Sequence, residues 1–280
     1  MEVQSLRASR PEEQAILAHY QLAAPLIAKN FPNVPVAVTY YPNGLDGEPT
    51  FSGAWEELPA SISGTRVITR SGEHLYPQCT VNGILWLAHR YAVGIMSWTP
   101  SSRDPHGVGC AHIGLRPVAG GAQALLKEAM LALRTALSDV GLGAIPILHG
   151  VRGAALFVPF ADAPSYEEAR AWLHELVNGA ITRHPNLLVH EKRPHEQHTA
   201  PRIECTVVAN AVGHGSLLPY ALGGTIDLPM ATPIEWNELA TIANGDVTAA
   251  NAAQRLAKGD VYEKQARVLA SQRFADAAAR

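Results

Sequence analysis

With 280 residues, 47% of them hydrophobic and 17% charged, the chain can bury a large core and lies far from the composition of disordered proteins. The formal net charge is -3 and lysine occurs only five times, which argues against tight non-specific duplex binding, an affinity supplied mainly by counterion release. No run approaches the roughly 18–20 apolar residues of a membrane helix, the N-terminal stretch lacks the apolar core of a secretion signal, and Cys79, Cys110 and Cys205 form neither a disulfide framework nor a zinc knuckle. The expectation is a cytoplasmic protein without membrane contact.

In chain order, residues 12–29 show the stripe of an amphipathic helix through Ile16, Tyr20 and Ala23, with Pro25 expected to kink or end it. A strand follows at Val34–Tyr41, then a Pro/Asn/Gly turn, a short strand at Arg66–Thr69 and a helix at Asn82–Tyr91. Thr99–Gly109 has the composition of a loop, and Cys110–Leu115 that of a strand. Gln123–Leu137 is the clearest helix, with Leu126, Met130, Leu133 and Leu137 three or four residues apart. Ala154–Pro159 is an apolar strand, and Ser165 with Glu168 forms a capping box that opens a helix. Arg202–Ala209 is a further strand, and Thr232-Pro233-Ile234-Glu235 combines an N-cap, a first-turn proline and a box glutamate. Strands alternating with helices imply an α/β fold in which helices pack on a sheet. Trp86, Trp98, Trp172 and Trp236 fall in these patterns and are expected in the core.

Several segments, in order, resemble the polymerase domain of bacterial DNA ligase D, a branch of the archaeo-eukaryotic primase-polymerase superfamily. The strand and turn from Val36 to Glu48 are similar to that family's Arg-Tyr-Pro-Asp-Gly-type segment, and Ile84-Leu85-Trp86-Leu87-Ala88 to a helix of the same character. Pro219-Tyr220-Ala221-Leu222 resembles its Pro-Tyr-Ser-Leu-Arg, and Thr232 to Leu239 its Thr-Pro-Leu-x-Trp-x-Glu-Leu. The resemblance spans roughly residues 15 to 265. It implies a primase-polymerase fold, α/β (α+β), with a smaller N-terminal α/β module over about residues 1–108 and an RRM-like sheet half over about 109–280.

The family transfers nucleotides with two divalent cations held by carboxylates, an Asp-x-Asp on one strand and a third Asp on another. The resemblance places Gly114 and Arg116 at the first pair and Thr206 at the third. Glycine offers no ligand, and arginine puts a fixed positive charge where a cation would sit, a repulsion of several kcal/mol in a partly dry cleft. The phosphate motif Ser-Gly-x-x-Gly-x-His falls on residues 149–155; its turn glycines persist, while its serine is His149 and its histidine Ala155. The arginine expected after Leu222 is Gly223. No catalytic residue, metal ligand or cofactor is therefore assigned.

Arg116, His112, His149, Arg152 and Glu204 are candidate ligand-binding residues, Arg116 as an anion binder or as the internal partner of Glu204. Cys110, His112, Glu204 and His149 together have the chemistry of a zinc site or a Cys–His nucleophile, set against ordinary packing. The histidine-dense segment 190–198 is a contact for nucleic acid or a partner, a metal site of mixed His/Glu ligands, or a solvated connection with adventitious metal affinity, and Arg7 and Arg10 either touch a DNA 5′ phosphate or belong to a frayed terminus. Three functions follow: an inactive homologue that binds or scaffolds, with DNA ends or a protein as partner; a polymerase with non-standard ligands; or a cleft converted to another ligand or reaction.

Overall fold

The computed structural model describes residues 11–279 apart from 42, 70, 71, 103, 105, 151, 152 and 192–198, so Arg7, Arg10, Arg152 and most of the histidine-dense segment lie outside the described residues. The chain opens with helix α1 (Pro11–Asn30), which continues through Pro25. The amide lost at Pro25 would have met the carbonyl of Gln21, and both residues are exposed, so that carbonyl is open to solvent.

Strands β1 (Ala37–Tyr40) and β2 (Thr50–Ser52), the hairpin β3 (Gly64–Thr69) and β4 (Gly72–Pro77), helix α2 (Val81–Ala88) and strand β5 (Ala92–Ser97) complete the first part. Helix α2 starts one residue earlier than expected because Thr80 caps it, its side chain accepting from the Gly83 amide. The second part runs through β6 (Cys110–Val118), a 3-10 turn over 122–125, α3 (Leu126–Asp139), β7 (Ile145–Leu148), β8 (Ala154–Pro159), α4 (Tyr166–Arg183), β9 (Leu188–His190) and β10 (Arg202–Thr206). Strands β11 (Ser216–Leu217) and β12 (Thr232–Pro233) and helices α5 (Ala252–Leu256), α6 (Val261–Leu269) and α7 (Phe274–Ala278) follow.

Among the described residues the strands form three sheets: β11-β5-β1-β2, β12-β7-β8-β6-β10-β9 and the hairpin β3-β4. Period-two alternation divides the large sheet between two cores. Ala111, Ile113 and Leu115 of β6, Leu156 and Val158 of β8 and Ile203 of β10 face α3 and α4. Ile145, Ile147, Ala155, Phe157 and Cys110 face the other way and pack with α1, α2, β1 and β5. This second face is covered along β7 and β8 and carries the cleft where β6, β10 and β9 continue beyond the cover.

Two expectations fail locally. Thr232 does not cap a helix: it is a buried strand residue whose hydroxyl donates to the Met230 carbonyl, and the cap is Glu235, boxed with Glu238, on a 3-10 helix over 236–240. Strand β10 stops at Thr206 rather than Ala209, because the Thr206 hydroxyl accepts from the Val208 amide and the chain turns back through Asn210 to Val207. Of the four tryptophans expected in the core, Trp98 is fully buried, whereas Trp86, Trp172 and Trp236 are half-buried beneath Arg90, Phe274 and Arg134.

Candidate functional site

The cleft is built on strand register. Thr206 of β10 pairs with Gly114 of β6, and Gly114 pairs on its other side with Ala155 of β8, so the three residues form one row across the sheet. The next pair on the same face of β6 and β10, two residues along, is Arg116 opposite Glu204. Residues two apart on a strand share a face, so His112, Gly114 and Arg116 look into the same space. Four positions expected to form the cleft, Gly114, Arg116, Ala155 and Thr206, are thus brought together, with Glu204 among them.

Each has a definite partner. Arg116 donates from Nε to Glu204 Oε1 at 2.9 Å and makes a second, shorter contact to the same oxygen from Nη2. The pair is asymmetric, since the Glu204 side chain is 2% exposed and that of Arg116 is 61% exposed. The guanidinium therefore lids a buried carboxylate. Gly114 has little room to grow: a Cβ there would lie 2.8 Å from Thr206 Cγ2. Thr206 in turn donates its hydroxyl to Glu191 Oε2 at 2.7 Å. Glu191 belongs to the histidine-dense segment singled out from the sequence, but the sequence alone does not disclose its contact with Thr206. It follows β9, whose parallel pairing with β10 sets residue 191 beside residue 206, and only that pairing could have revealed it.

His149 and Gly223 close the site from the β7–β8 side. The turn keeps its bend, with the His149 amide donating to the Gly153 carbonyl at 2.8 Å. Gly150 and Gly153 are left-handed, and a Cβ at Gly153 would collide with the Leu115 carbonyl, so the turn itself requires these glycines. A Cβ at Gly223 would stand 3.8 Å from the His149 carbonyl oxygen, which puts that position at the same edge.

His112 is buried at the inner end, 4.3 Å from the Phe157 ring. Asn210, also missed from sequence, clamps it by accepting from the His112 amide and donating to the His112 carbonyl, both at 2.7 Å. The Thr99 hydroxyl donates to the Cys110 carbonyl, so it accepts from His112 Nε2–H at 3.0 Å. That assigns the tautomer and leaves Nδ1 as an unprotonated acceptor. His112 Nδ1 and His149 Nε2 are both buried without a hydrogen-bond partner. Burial lowers the His112 pKa to about 3, helped by the neighbouring His149, and burial alone lowers His149 to about 4. Both imidazoles are neutral at physiological pH.

Cys110 is drawn away from the cleft into the core, where its sulfur accepts from the Tyr262 hydroxyl at 3.9 Å and burial raises its pKa to about 12. A thiol so protonated is no nucleophile for His112 to activate. Among the described residues no group of three or more His, Cys, Asp or Glu side chains is placed to hold a metal ion. A paired-magnesium site does not fit the donor set either: Gly114 supplies no oxygen, Arg116 a cation, and Thr206 a hydroxyl already committed to Glu191. Among the described residues no helix is long and apolar enough to cross a membrane.

Comparison with known proteins places these residues in context. A family profile described as "LigD, primase-polymerase domain" matches residues 13–262. The chain is 25% identical over 261 residues to the multifunctional non-homologous end joining DNA repair protein LigD of Mycobacterium tuberculosis, covering 89% of this chain and 34% of that protein. It is 24% identical over 211 residues to the bifunctional non-homologous end joining protein LigD of Bacillus subtilis, covering 74% and 33%. The chain thus spans about a third of the length of the curated relatives it matches. A solved structure, the polymerase domain from Mycobacterium tuberculosis Ligase D in complex with DNA, superposes with a TM-score of 0.80 at 22% identity, covering 90% of this chain and 91% of that one. The fold is shared.

Proposed function

We propose that this chain, which belongs to the LigD primase-polymerase domain family, has given up nucleotidyl transfer and serves as a binding or scaffolding protein in end-joining repair, contacting DNA ends or a repair partner. The supporting observation is the row Gly114–Thr206 beside the ion pair Arg116–Glu204. Phosphoryl transfer in this family depends almost wholly on cations that neutralise charge on the attacking and leaving oxygens. With an arginine spent on the one buried carboxylate of β10, nothing here gathers two such ions.

The test is primer extension on gapped and overhanging DNA with Mg²⁺ and then Mn²⁺. No incorporation is expected above that of a heat-inactivated control; template-dependent incorporation would overturn the reading. DNA binding is tested separately by titrating end-bearing duplexes at several salt concentrations. The relative solved with DNA is the reason to look for it, and the net charge of -3 argues for weak, salt-sensitive binding. A response undetectable at low salt would leave a protein as the partner.

One observation favours a second reading, a cleft converted to another ligand. The buried nitrogens of His112 and His149 stand ready for hydrogen bonds they do not make within the protein. A thermal-shift screen with nucleotides, zinc and small anions addresses it, and stabilisation abolished by His149→Gln would support conversion over simple loss.

A further inference from the structure

A second cavity, of about 260 Å³, lies between the first turn of α1, the segment following β1 and the chain leaving α2. None of the cleft residues lines it. Tyr40, from β1, is on its wall, and the Tyr40 hydroxyl is buried with no hydrogen-bond partner. Native proteins pair nearly all such groups, because an unmet buried hydroxyl costs about 1–3 kcal/mol. Arg90, on the same wall, stands near enough to Tyr40 to oppose the rise that burial imposes on the phenol, whose pKa is about 12, so the hydroxyl stays protonated. The Arg90 guanidinium is itself held 4.3 Å over the Trp86 ring, which packs on Trp55 at 4.8 Å. This stacking orients the exposed guanidinium in advance.

The lining also includes Glu12 and Glu13, two half-buried acidic residues of the first turn of α1, and Tyr41 and Tyr91. Tyr91 has a φ of 61°, a left-handed conformation costly for a bulky residue, and the residue remains 44% exposed. Strain of this kind collects at ligand sites, where surrounding structure enforces it.

Donor groups (Tyr40, Arg90), acceptor carboxylates (Glu12, Glu13) and aromatic residues lining one small cavity suit a flat, ring-shaped group with acceptors along one edge and donors along the next. Guanine has that pattern, with O6 and N7 accepting and N1–H and the 2-amino group donating. The volume is below the roughly 300–1,000 Å³ of sites for whole drug-sized ligands, and so suits one ring system and not a base pair. We propose that this cavity binds a single guanine base, Tyr40 and Arg90 donating to its O6/N7 edge and Glu12 or Glu13 accepting from its N1/N2 edge. The base comes either from a free nucleoside or nucleotide or from an unpaired strand end; the chemistry of recognition is the same. The assignment does not depend on whether the cleft catalyses.

The experiment is calorimetric titration of the full chain with guanosine and adenosine, together with methyl NMR of Ile16 and Val93, which line the cavity. Saturable guanosine binding is expected, with shifts at those two methyls and adenosine weaker by about 10-fold, the worth of one or two hydrogen bonds. Tyr40→Phe removes one oxygen atom from the ligand-free fold and should weaken guanosine by about 10-fold. A short single strand ending in dG that binds more tightly than guanosine identifies a strand end as the source; equal affinity identifies the free nucleotide. Absence of saturation at millimolar guanosine, equal affinity in Tyr40→Phe, no preference over adenosine, or shifts confined to the cleft-side Ile147 and Ala155 would each overturn the assignment. N-acetyl-tyrosinamide binding in place of guanosine would overturn it in favour of a protein side chain.

Discussion

Acidification should unfold this protein through its buried histidines well before its carboxylates titrate. His112, His149 and His19 have pKa values lowered to about 3, 4 and 4, with burial the main cause in each. In the unfolded chain each returns to about 6.5. Below that value the unfolded state binds protons that the folded state refuses, so stability is complete above about pH 6.5 and is lost as pH falls towards the folded values. At pH 5 one such histidine costs roughly 1.36 kcal/mol for each of about 1.5 pH units, or about 2 kcal/mol. Three together approach about 6 kcal/mol, a large share of the 5–15 kcal/mol typical of a folded domain. The assay is urea unfolding at pH 7.5 and pH 5.0 for the wild type and for His149→Gln, whose side chain cannot gain a proton. The wild type should lose several kcal/mol between the two values, and the variant should lose about 2 kcal/mol less. An identical loss in both proteins would refute the claim that an enclosed neutral imidazole occupies the cleft.

Other expectations concern single contacts. In a double-mutant cycle of Arg116→Met and Glu204→Gln, unfolding free energies should give a coupling of about 1–2 kcal/mol, between surface and buried values because Arg116 is largely exposed; a coupling of zero would mean the lid is incidental. Gly114→Ala should destabilise by about 1–3 kcal/mol through its clash with Thr206 Cγ2, and adding Thr206→Ser, which deletes that methyl, should recover most of the loss in thermal unfolding. Arg255→Met should cost about 3 kcal/mol or more, since this buried guanidinium holds Glu238 at 2.8 Å and the Pro233 carbonyl at 2.7 Å; an unchanged melting temperature would count against it.

What the sequence disclosed followed from local period and local caps. The α4 box is as its spacing implies, Ser165 accepting from the Glu168 amide at 3.2 Å while the Glu168 carboxylate accepts from the Ser165 amide at 3.1 Å. Gly114, Arg116, Glu204 and Thr206 could be placed on one face because strand parity is itself local. Strands β5 and β7 stayed hidden because they are buried on nearly every residue and show no alternation. Thr232 misled because an N-cap followed by proline reads the same whether the backbone turns into a helix or crosses to pair with Leu148. Glu191 and Asn210 required long-range knowledge: one reaches Thr206 across a parallel strand pair, the other reaches His112 from 98 residues away.

Gly114, Arg116 and Thr206 act as a set, and this bears on what introducing carboxylates there would do. Arg116→Asp alone would set a second carboxylate opposite buried Glu204 and remove the cation that covers it. Like charges in that position repel, so one acid would stay protonated or the strand pair would loosen. Gly114→Asp alone would meet Thr206 Cγ2 and then find Arg116 two residues along the same face, forming an ion pair sooner than a metal site. Thr206→Asp alone would release Glu191 and put two carboxylates side by side. Each single substitution creates repulsion or a new internal pair, and only the triple variant gathers enough carboxylate charge beside Glu204 and Glu191 to call in divalent ions. Manganese titration followed by electron paramagnetic resonance should therefore show binding in the triple variant and none above background in each single one. Manganese bound tightly by Gly114→Asp alone would mean that Arg116 is free to swing aside, and the electrostatic case for an inactive cleft would fall with it.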